Sequence, residues 1–528
     1  MSSEKRRVGS PTRVVDKDDV LMAIVKFTTT AEDVSTFLDA ISATTRCGPL
    51  KALSELLRDP LKALRDARDE ATALTMLWPR LQLDYVVDVK RVIDAMPIYN
   101  SFEVGSLHLW KDMSPSMDVL AQLVASYGEK FTHIKIDSKY PCENEKNVVT
   151  LCNILRQSTR LDVVSVGNTG YDMAIVAAVT TPKHSVRRLS VASDRAEDNW
   201  AENLVPWLQS GHADHLGIQY DVEKSGENRS IADVLVAAAA SSLSSLNVLV
   251  HGAEPLPPVD THTTRFQNLS TLCVRVDQDA PFFKSLLDRV DPTKLRRLSV
   301  TCSDESDNIG FVLDTLPHLS ALNELQICSG AFDVDELPPA VMTSSSALTS
   351  ITMEDIQFSS NAAAALGALF ANVLDLKTLS WRDCFVDDTT FGDVILSNLP
   401  LWIRNGVRAI DLAGCDAMDG FPDHLVRALR GATSPSGIDI NLSDNGFTHE
   451  KYVMLFKALT TCTGVSVVLE PSVELGGEAV AREAHLARED FEVMLHGLPE
   501  LELEWNEYVT PELPEGEVCV TLRVSCRR

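Results

Sequence analysis

One phrase recurs along most of this chain: apolar, two variable residues, apolar, one variable, apolar. LSTLCV (Leu269, Leu272, Val274), LRRLSV (Leu295, Leu298, Val300), LNELQI (Leu322, Leu325, Ile327) and LTSITM (Leu348, Ile351, Met353) are full copies, and LKTLSW and VRAIDL continue the series. Upstream stand WPRLQL, VGSLHL, FTHIKI, LDVVSV, VRRLSV, ADHLGI and LSSLNV; downstream the phrase weakens to GIDINL, GVSVVL and LELEW. The last apolar residue of each copy gives sixteen positions between Leu83 and Leu503, on average 28 residues apart. A period of that length marks a chain assembled from one small unit many times over.

Alternating apolar residues require a short strand with one buried face. Between the phrases lie runs such as SIADVLVAAAASS (230–242), APFFKSLLDRV (280–290), AAAALGALFANV (362–373), PDHLVRALRGA (422–432) and HEKYVMLFKALTTC (449–462). Their apolar residues return at three- and four-residue steps, as one buried helix face requires. Each unit therefore reads strand, turn, helix, turn. Helices are wider than strands, so a stack of such units curves with its strands inside. A doubly wound α/β enzyme alternates strand and helix too, but its strands are apolar on both faces. Here the alternate positions are polar, among them His108, Lys135, Asp137, Gln219, Arg275, Glu354, Arg382 and Asp411. One strand face is predicted to be wet.

These units resemble leucine-rich repeats, L-x-x-L-x-L-x-x-N/C-x-L, of the ribonuclease-inhibitor-like class. LSWRDC, IDLAGC and INLSDN also carry the family's polar turn residue, at Cys384, Cys415 and Asn445. The resemblance covers roughly residues 78–505. It implies an α/β open right-handed solenoid of about 14–16 units, a horseshoe with parallel strands on the concave face and helices on the convex face. It also implies that the turn residue hydrogen-bonds turn backbone, and that partners bind the concave face. Carried over, that face holds His108, Trp110, Lys135, Asp137, Gln219, Arg275, Glu354, Arg382 and Asp411. Trp381 occupies a core position of its phrase.

The ends differ from the middle. Residues 1–15 are expected to form a disordered tail, and residues 16–77 read as helices that do not repeat. DDVLMAIV at 18–25 and DVSTFL at 33–38 resemble an F-box, the helical motif that docks on the Skp1 adaptor of a ubiquitin ligase. The family's leading Leu-Pro is Lys-Asp here, and its Val-Cys-basic-x-Trp segment is missing. The resemblance implies adaptor contact through Val20, Leu21, Ile24, Val34 and Phe37. A helical cap that shields the first repeat explains the same apolar residues, because solenoids need capped ends. At the other end, 506–528 reads as a cap: VCVTLRV (518–524) alternates as a strand able to pair with LELEW.

Composition narrows the function. Net charge is −27; residues 1–80 carry +1 and residues 470–528 carry −9. An acidic surface repels phosphate backbones, so nucleic acid is not an expected partner. Eleven cysteines lack any CxxC pair, and several lie in apolar strand phrases, such as Cys273 and Cys328. That usage, with no apolar leader and no run long enough for a membrane span, predicts a reduced cytoplasmic or nuclear setting and no membrane contact. The sequons at Asn228, Asn268 and Asn441 then carry no meaning. No phosphate loop, GxGxxG, HExxH, GxSxG or zinc-spaced cluster occurs. His212 and His215 would share a face only on a helix. No cofactor, metal or catalytic residue is expected. The chain reads as a monomeric, non-enzymatic scaffold for a partner protein, in one form the substrate receptor of a Skp1-type ubiquitin ligase. A regulator of a nuclease or small GTPase is a second reading, and an α/β hydrolase or transferase a third.

Overall fold

The computed structural model describes residues 17–41, 48–60, 70–83, 89–107, 117–137, 145–193, 200–221, 229–251, 255–256, 265–276, 280–302, 310–332, 347–371, 373–386, 395–415, 421–445, 447, 449–469, 491–495, 498–508 and 519–526. The chain forms two compact units, Met1–Tyr220 with Arg229–Ala237, and Asp221–Asn228 with Ala238–Arg528.

Among the described residues the first unit begins with the helices α1 (Lys17–Phe27), α2 (Ala31–Ala40), α3 (Gly48–Arg58) and α4 (Glu70–Leu77). Thr30 starts α2 by accepting the Asp33 amide on its hydroxyl at 3.1 Å, which supplies a partner to an otherwise orphaned helix-end donor. Val25, Val34, Leu38, Leu50, Leu53 and Leu57 are buried. The Trp78 indole, also buried, donates to the Thr28 carbonyl at 3.0 Å and ties α4's end to the turn after α1. Strands follow: β1 (Leu81–Gln82), β2 (Phe102–Leu107), β3 (Phe131–Asp137), β4 (Val163–Gly167), β5 (Arg188–Ser193) and β6 (His215–Asp221). Between and after them come α5 (Val89–Ala95), α6 (Met117–Tyr127), α7 (Glu145–Gln157), α8 (Asp172–Val179), α9 (Trp200–Gln209) and α10 (Arg229–Ala239). Strands β1 to β6 pair in parallel, each with the next in sequence. Helices α6, α7, α8 and α9 likewise pack each on the next.

The second unit repeats this plan. Its parallel strands are β7 (Ser245–His251), β8 (Thr271–Val276), β9 (Arg297–Cys302), β10 (Glu324–Cys328), β12 (Ser350–Glu354), β14 (Thr378–Arg382), β16 (Ala409–Asp411), β17 (Thr433–Asn441) and β18 (Thr463–Leu469). The intervening helices are α11 (Ala280–Leu287), α12 (Gly310–Thr315), α13 (Ser360–Ala371), α14 (Leu399–Arg404), α15 (Phe421–Leu429) and α16 (His449–Leu459). A second, narrow parallel sheet, β11 (Ala331–Phe332), β13 (Gln357–Phe358) and β15 (Phe385–Val386), forms just past the turns. Each unit is an open parallel α/β stack, the architecture of a leucine-rich-repeat solenoid.

Register explains the stability. Leu246, Leu272, Leu298, Leu325, Ile351, Leu379, Ile410, Ile440 and Val467 stand opposite one another across nine strands, and all are buried. Two residues on, Val248, Val274, Val300, Ile327, Met353 and Trp381 form a second buried line. In the first unit Ile134, Val164, Leu189 and Leu216 do the same. Each such side chain contributes about 1.5–3 kcal/mol by leaving water. After each of five consecutive strands the chain turns through a left-handed residue: Ser329, Asp355, Asp383, Gly414 and Asp444, with φ between 50° and 67°. The Ser329, Asp355, Asp383 and Gly414 amides donate to carbonyls of the next repeat at 2.8–3.1 Å. A Cβ on Gly414 would lie 1.9 Å from Asp383 Oδ1, so that turn excludes any side chain.

The turn residues behave as the resemblance implies. The Cys415 amide donates to Asn445 Oδ1 at 2.8 Å, and Asn445 Nδ2 donates to the Leu412 carbonyl at 2.7 Å. The Cys415 thiol donates to the Trp381 carbonyl at 2.9 Å, and the Cys384 thiol to the Arg382 carbonyl at 3.3 Å. One sequence expectation changes. LELEW is not a further parallel unit: β19 (Leu501–Tyr508) runs antiparallel to β20 (Cys519–Cys526), which inserts between it and β18, antiparallel to both. His212 lies in the connection before β6 and His215 begins that strand, so the two share no helix face.

Two substitutions test the spine. Leu325→Ala should cost about 2–5 kcal/mol in urea unfolding, whereas Thr352→Ala on the opposite face should stay within about 0.5 kcal/mol. Asn445→Ala should cost about 1–3 kcal/mol in the same assay, because it strands the Cys415 amide and the Leu412 carbonyl in a dry turn.

Candidate functional site

The side chains that alternate with the spine face away from the helices and form three parallel rows. Neighbours in a row lie about 4.8 Å apart. In the second unit the row nearest the turns reads Leu249, Arg275, Thr301, Cys328, Glu354, Arg382. The middle row reads Asn247, Cys273, Ser299, Gln326, Thr352, Ser380, Asp411, Asn441. The third includes Thr271, Arg297, Glu324, Ser350, Thr378, Ala409, Asp439 and Ser466. Most are small or charged and half-exposed, so backbone and short polar groups line much of the face.

A hydrogen-bonded chain crosses this face. Ser299 Oγ donates to Gln326 Oε1 at 3.4 Å, Gln326 Nε2 donates to Cys328 Sγ at 3.4 Å, and that thiol donates to Glu354 Oε2 at 3.7 Å. Beside it Ser329 Oγ donates to Asp355 Oδ2 at 3.2 Å. Asp411 Oδ1 accepts from Asn441 Nδ2 at 3.0 Å and from the Ala413 amide at 3.1 Å. Arg297 pairs with Glu324 at 3.5 Å and Arg382 with Asp383 at 3.3 Å, all about half exposed. Pairs that open to water contribute little stability. They leave charge on display. Arg275 is half-buried, and its Nε has no hydrogen-bond partner among the described residues.

In the first unit the corresponding row runs Gln82, Glu103, His133, Val163, Arg188, His215. Gln82 Nε2 donates to Glu103 Oε1 at 3.1 Å, and His133 Nδ1 lies 3.9 Å from Glu103 Oε2. Partial burial lowers the affinity of His133 and His215 for a proton; Glu103 opposes this at His133, while Arg188 reinforces it at His215.

The two cysteines of these rows, Cys273 and Cys328, are held in the thiol form. Burial first, then the Glu354 carboxylate, pushes the Cys328 thiol up to about 11. Burial raises Cys152, Cys273 and Cys384 as well. Among the described residues no three His, Cys, Asp or Glu side chains gather as a metal would require, and no helix is long and apolar enough to cross a membrane. A cavity of about 530 Å³ lies on the helix side of the second unit, lined by Phe283, Leu287, Val290 and Leu319 with Lys284, Asp288, Asp314 and His318. It does not touch the three rows.

The structure brings Arg275, Glu354 and Arg382 into one row, with Glu354 and Arg382 adjacent. Asp411 belongs to the middle row, opposite Ser380. Lys135 and Gln219 are exposed on β3 and β6 in different rows. His108, Trp110 and the Asp137 side chain lie outside the described residues. On the N-terminal helices Val20 is 44 % exposed and Ile24 43 %, while Leu21 and Phe37 are half-buried. Val34, expected at the same contact, is fully buried in the core of the helical region. Sequence reasoning missed Gln326, Cys328, Asn441 and the Arg297–Glu324 pair, although the two-residue alternation of each strand puts them on the same face. Phe27, an apolar residue of the same helix outside the expected adaptor contacts, is 87 % exposed and continues the Val20–Ile24 stripe by one helical turn.

No family model matches the chain, and no curated protein matches it. Solved structures of similar fold include the Rad7–Elc1 complex of yeast, at 13% identity over 84% of this chain and 85% of that one, with TM-score 0.34. Others are the leucine-rich-repeat protein LegL7 of Legionella pneumophila (11%, 64% of this chain, 96% of that one, TM-score 0.31) and an internalin, inlF, of Listeria monocytogenes (14%, 64%, 90%, TM-score 0.27).

The Cys328–Glu354 contact is testable. Replacing Glu354 by Gln removes the anion that disfavours the thiolate, so the Cys328 pKa should fall from about 11. Peptide-resolved iodoacetamide labelling at pH 8 should then modify Cys328 faster in the variant, with Cys384 unchanged.

Proposed function

We propose that this chain is a non-enzymatic scaffold that holds a partner protein against the solvated strand face. One observation carries the reading: across nine consecutive strands the inward positions are uniformly apolar and buried, while the outward positions differ from strand to strand. Packing sets the inward residues. It places no such demand on the outward ones, which are left to recognition. Arg275, Glu354 and Arg382 are the contact residues of this reading in the second unit, with Asp411 beside them and Lys135 and Gln219 in the first. His108, Trp110 and Asp137, expected contacts from their place in the phrase, lie outside the described residues or side chains. Alternating charges in one row favour a partner with both signs on its surface, and they set specificity and on-rate more than affinity.

A second role rests on α1. Val20, Ile24 and Phe27 project from successive turns of one helix and stay exposed, although apolar stripes normally face a core. A cap that only shielded the first repeat would turn that stripe inward. The stripe supports the adaptor reading, with Leu21 and Phe37 at its edge: docking on a Skp1-type adaptor would make the chain a substrate receptor in a ubiquitin ligase.

Each role has its own test. The triple variant Arg275→Glu, Glu354→Lys, Arg382→Glu should weaken a captured partner about tenfold or more by surface plasmon resonance, whereas Lys457→Glu on α16 should not. Undiminished binding by the triple variant would refute the strand-face reading. Purified Skp1-type adaptor should bind the full chain and lose binding with Ile24→Asp or Phe27→Asp, with the circular dichroism spectrum unchanged. No binding to the wild-type chain would end the ligase form and leave the scaffold standing.

A further inference from the structure

Where the parallel stack of the second unit ends, two cysteines share one turn. Cys462 follows α16 and precedes β18; Cys526 is the last residue of β20, which runs antiparallel to β18 with Ser525 opposite Ser466. The Cys526 thiol donates to the Leu459 carbonyl at 3.2 Å. The Cys462 sulfur is 3.4 Å from the neighbouring Ala458 carbonyl and 2.9 Å from that of Leu429. Both sulfurs therefore converge on the last turn of α16, and neither is in a disulfide. Cys462 is buried, but Cys526 is half-exposed and opens on a cavity of about 380 Å³, lined also by Arg408, Asp439, Gly464 and Ser466.

We propose that Cys462 and Cys526 form a reversible, peroxide-responsive disulfide that fastens the antiparallel end of the sheet to the parallel stack. The electrostatics assign the roles. The proximity of Cys462 holds the Cys526 thiol below the usual thiol value, and the same proximity together with burial holds Cys462 above it. Cys526 is thus the attacking thiolate and Cys462 the resolving thiol. The Cys526 sulfur attacks one oxygen of hydrogen peroxide, an S–O bond forms as the O–O bond breaks, and hydroxide leaves and takes up a proton. The Cys462 sulfur then attacks the sulfenic sulfur; its proton goes to the departing hydroxide, and a second water is released. Two thiols lose two electrons, and one peroxide becomes two waters.

Geometry gives the bond a consequence. Strand β20 is held to β18 by its ladder and to β17 by the Arg523–Asp439 ion pair, and β19 pairs with it. A covalent bridge from Cys526 to the turn before β18 closes a long loop and restricts the unfolded chain. The bridge would control how firmly the end of the stack stays closed.

The test uses the full chain. After equimolar hydrogen peroxide and alkylation of the remaining thiols, a non-reducing digest read by mass spectrometry should contain Cys462 and Cys526 peptides joined, with Cys152 and Cys384 alkylated. Dithiothreitol should reverse the link, and the oxidised protein should melt several degrees above the reduced one. In Cys462→Ser, dimedone should capture a sulfenic acid on Cys526, and peroxide should no longer raise the melting temperature. If wild-type Cys526 stays reduced, or stops at sulfenic or sulfinic acid without joining Cys462, the proposal is overturned.

Discussion

The structure depends on one arrangement: parallel strands held in strict register, so that each buried side chain meets its counterpart one repeat away. Leu325 lies between Leu298 and Ile351, and each of those lies between two more. No repeat could keep its own apolar face dry, because a single strand and helix leave most of that face uncovered. The main-chain ladder and the side-chain spine enforce the same spacing. The ladder sets the distance between strands, and the spine selects which residue faces inward, since a slip of one residue would turn the whole apolar set to solvent.

The turns keep this register from drifting. Left-handed residues stand at the same place in five repeats, the amides of four of them donate to carbonyls of the neighbouring repeat, and Cys384, Cys415 and Asn445 bond further turn carbonyls and amides. Asp, Ser and Gly recur there because few other residues accept a positive φ cheaply. A stack so regular presents an end to be closed. In the second unit β20 closes it by reversing direction, which breaks the repeat and leaves no invitation to a further parallel strand on β18. In the first unit helices α2, α3 and α4 bury their own leucines and α4 leads directly into β1.

With the interior spent on packing, recognition falls to side chains that packing does not constrain. That is why the strand face mixes serines, threonines, paired charges and a half-buried arginine, while the spine beneath it is nearly all aliphatic. The exposed stripe on α1 is the opposite case: apolar residues that no core claims. The two features serve different kinds of contact, one polar and selective, the other hydrophobic.

Much of this was legible in the linear sequence. The 28-residue recurrence of the phrase, the helix-like runs between its copies and the Cys/Asn turn residues each translate directly into strands, helices and turns, because local periodicity and a stack of identical neighbours obey the same spacing. The phrase also told inside from outside on each strand, so Arg275, Glu354 and Arg382 were identified without coordinates. Other features were decided only in three dimensions. LELEW carries the repeat's pattern, yet its pairing partner is β20, which intervenes from residues later in the chain. Val34 and Ile24 look alike in an amphipathic helix, yet one is buried and the other exposed, because which stripe of a helix meets a core is set by the helices packed against it. The pairing of Cys462 with Cys526 has no trace in spacing at all. Alternation along a strand is a local property, and sequence holds it; which distant segments meet is a property of the folded chain, and only the tertiary structure supplies it.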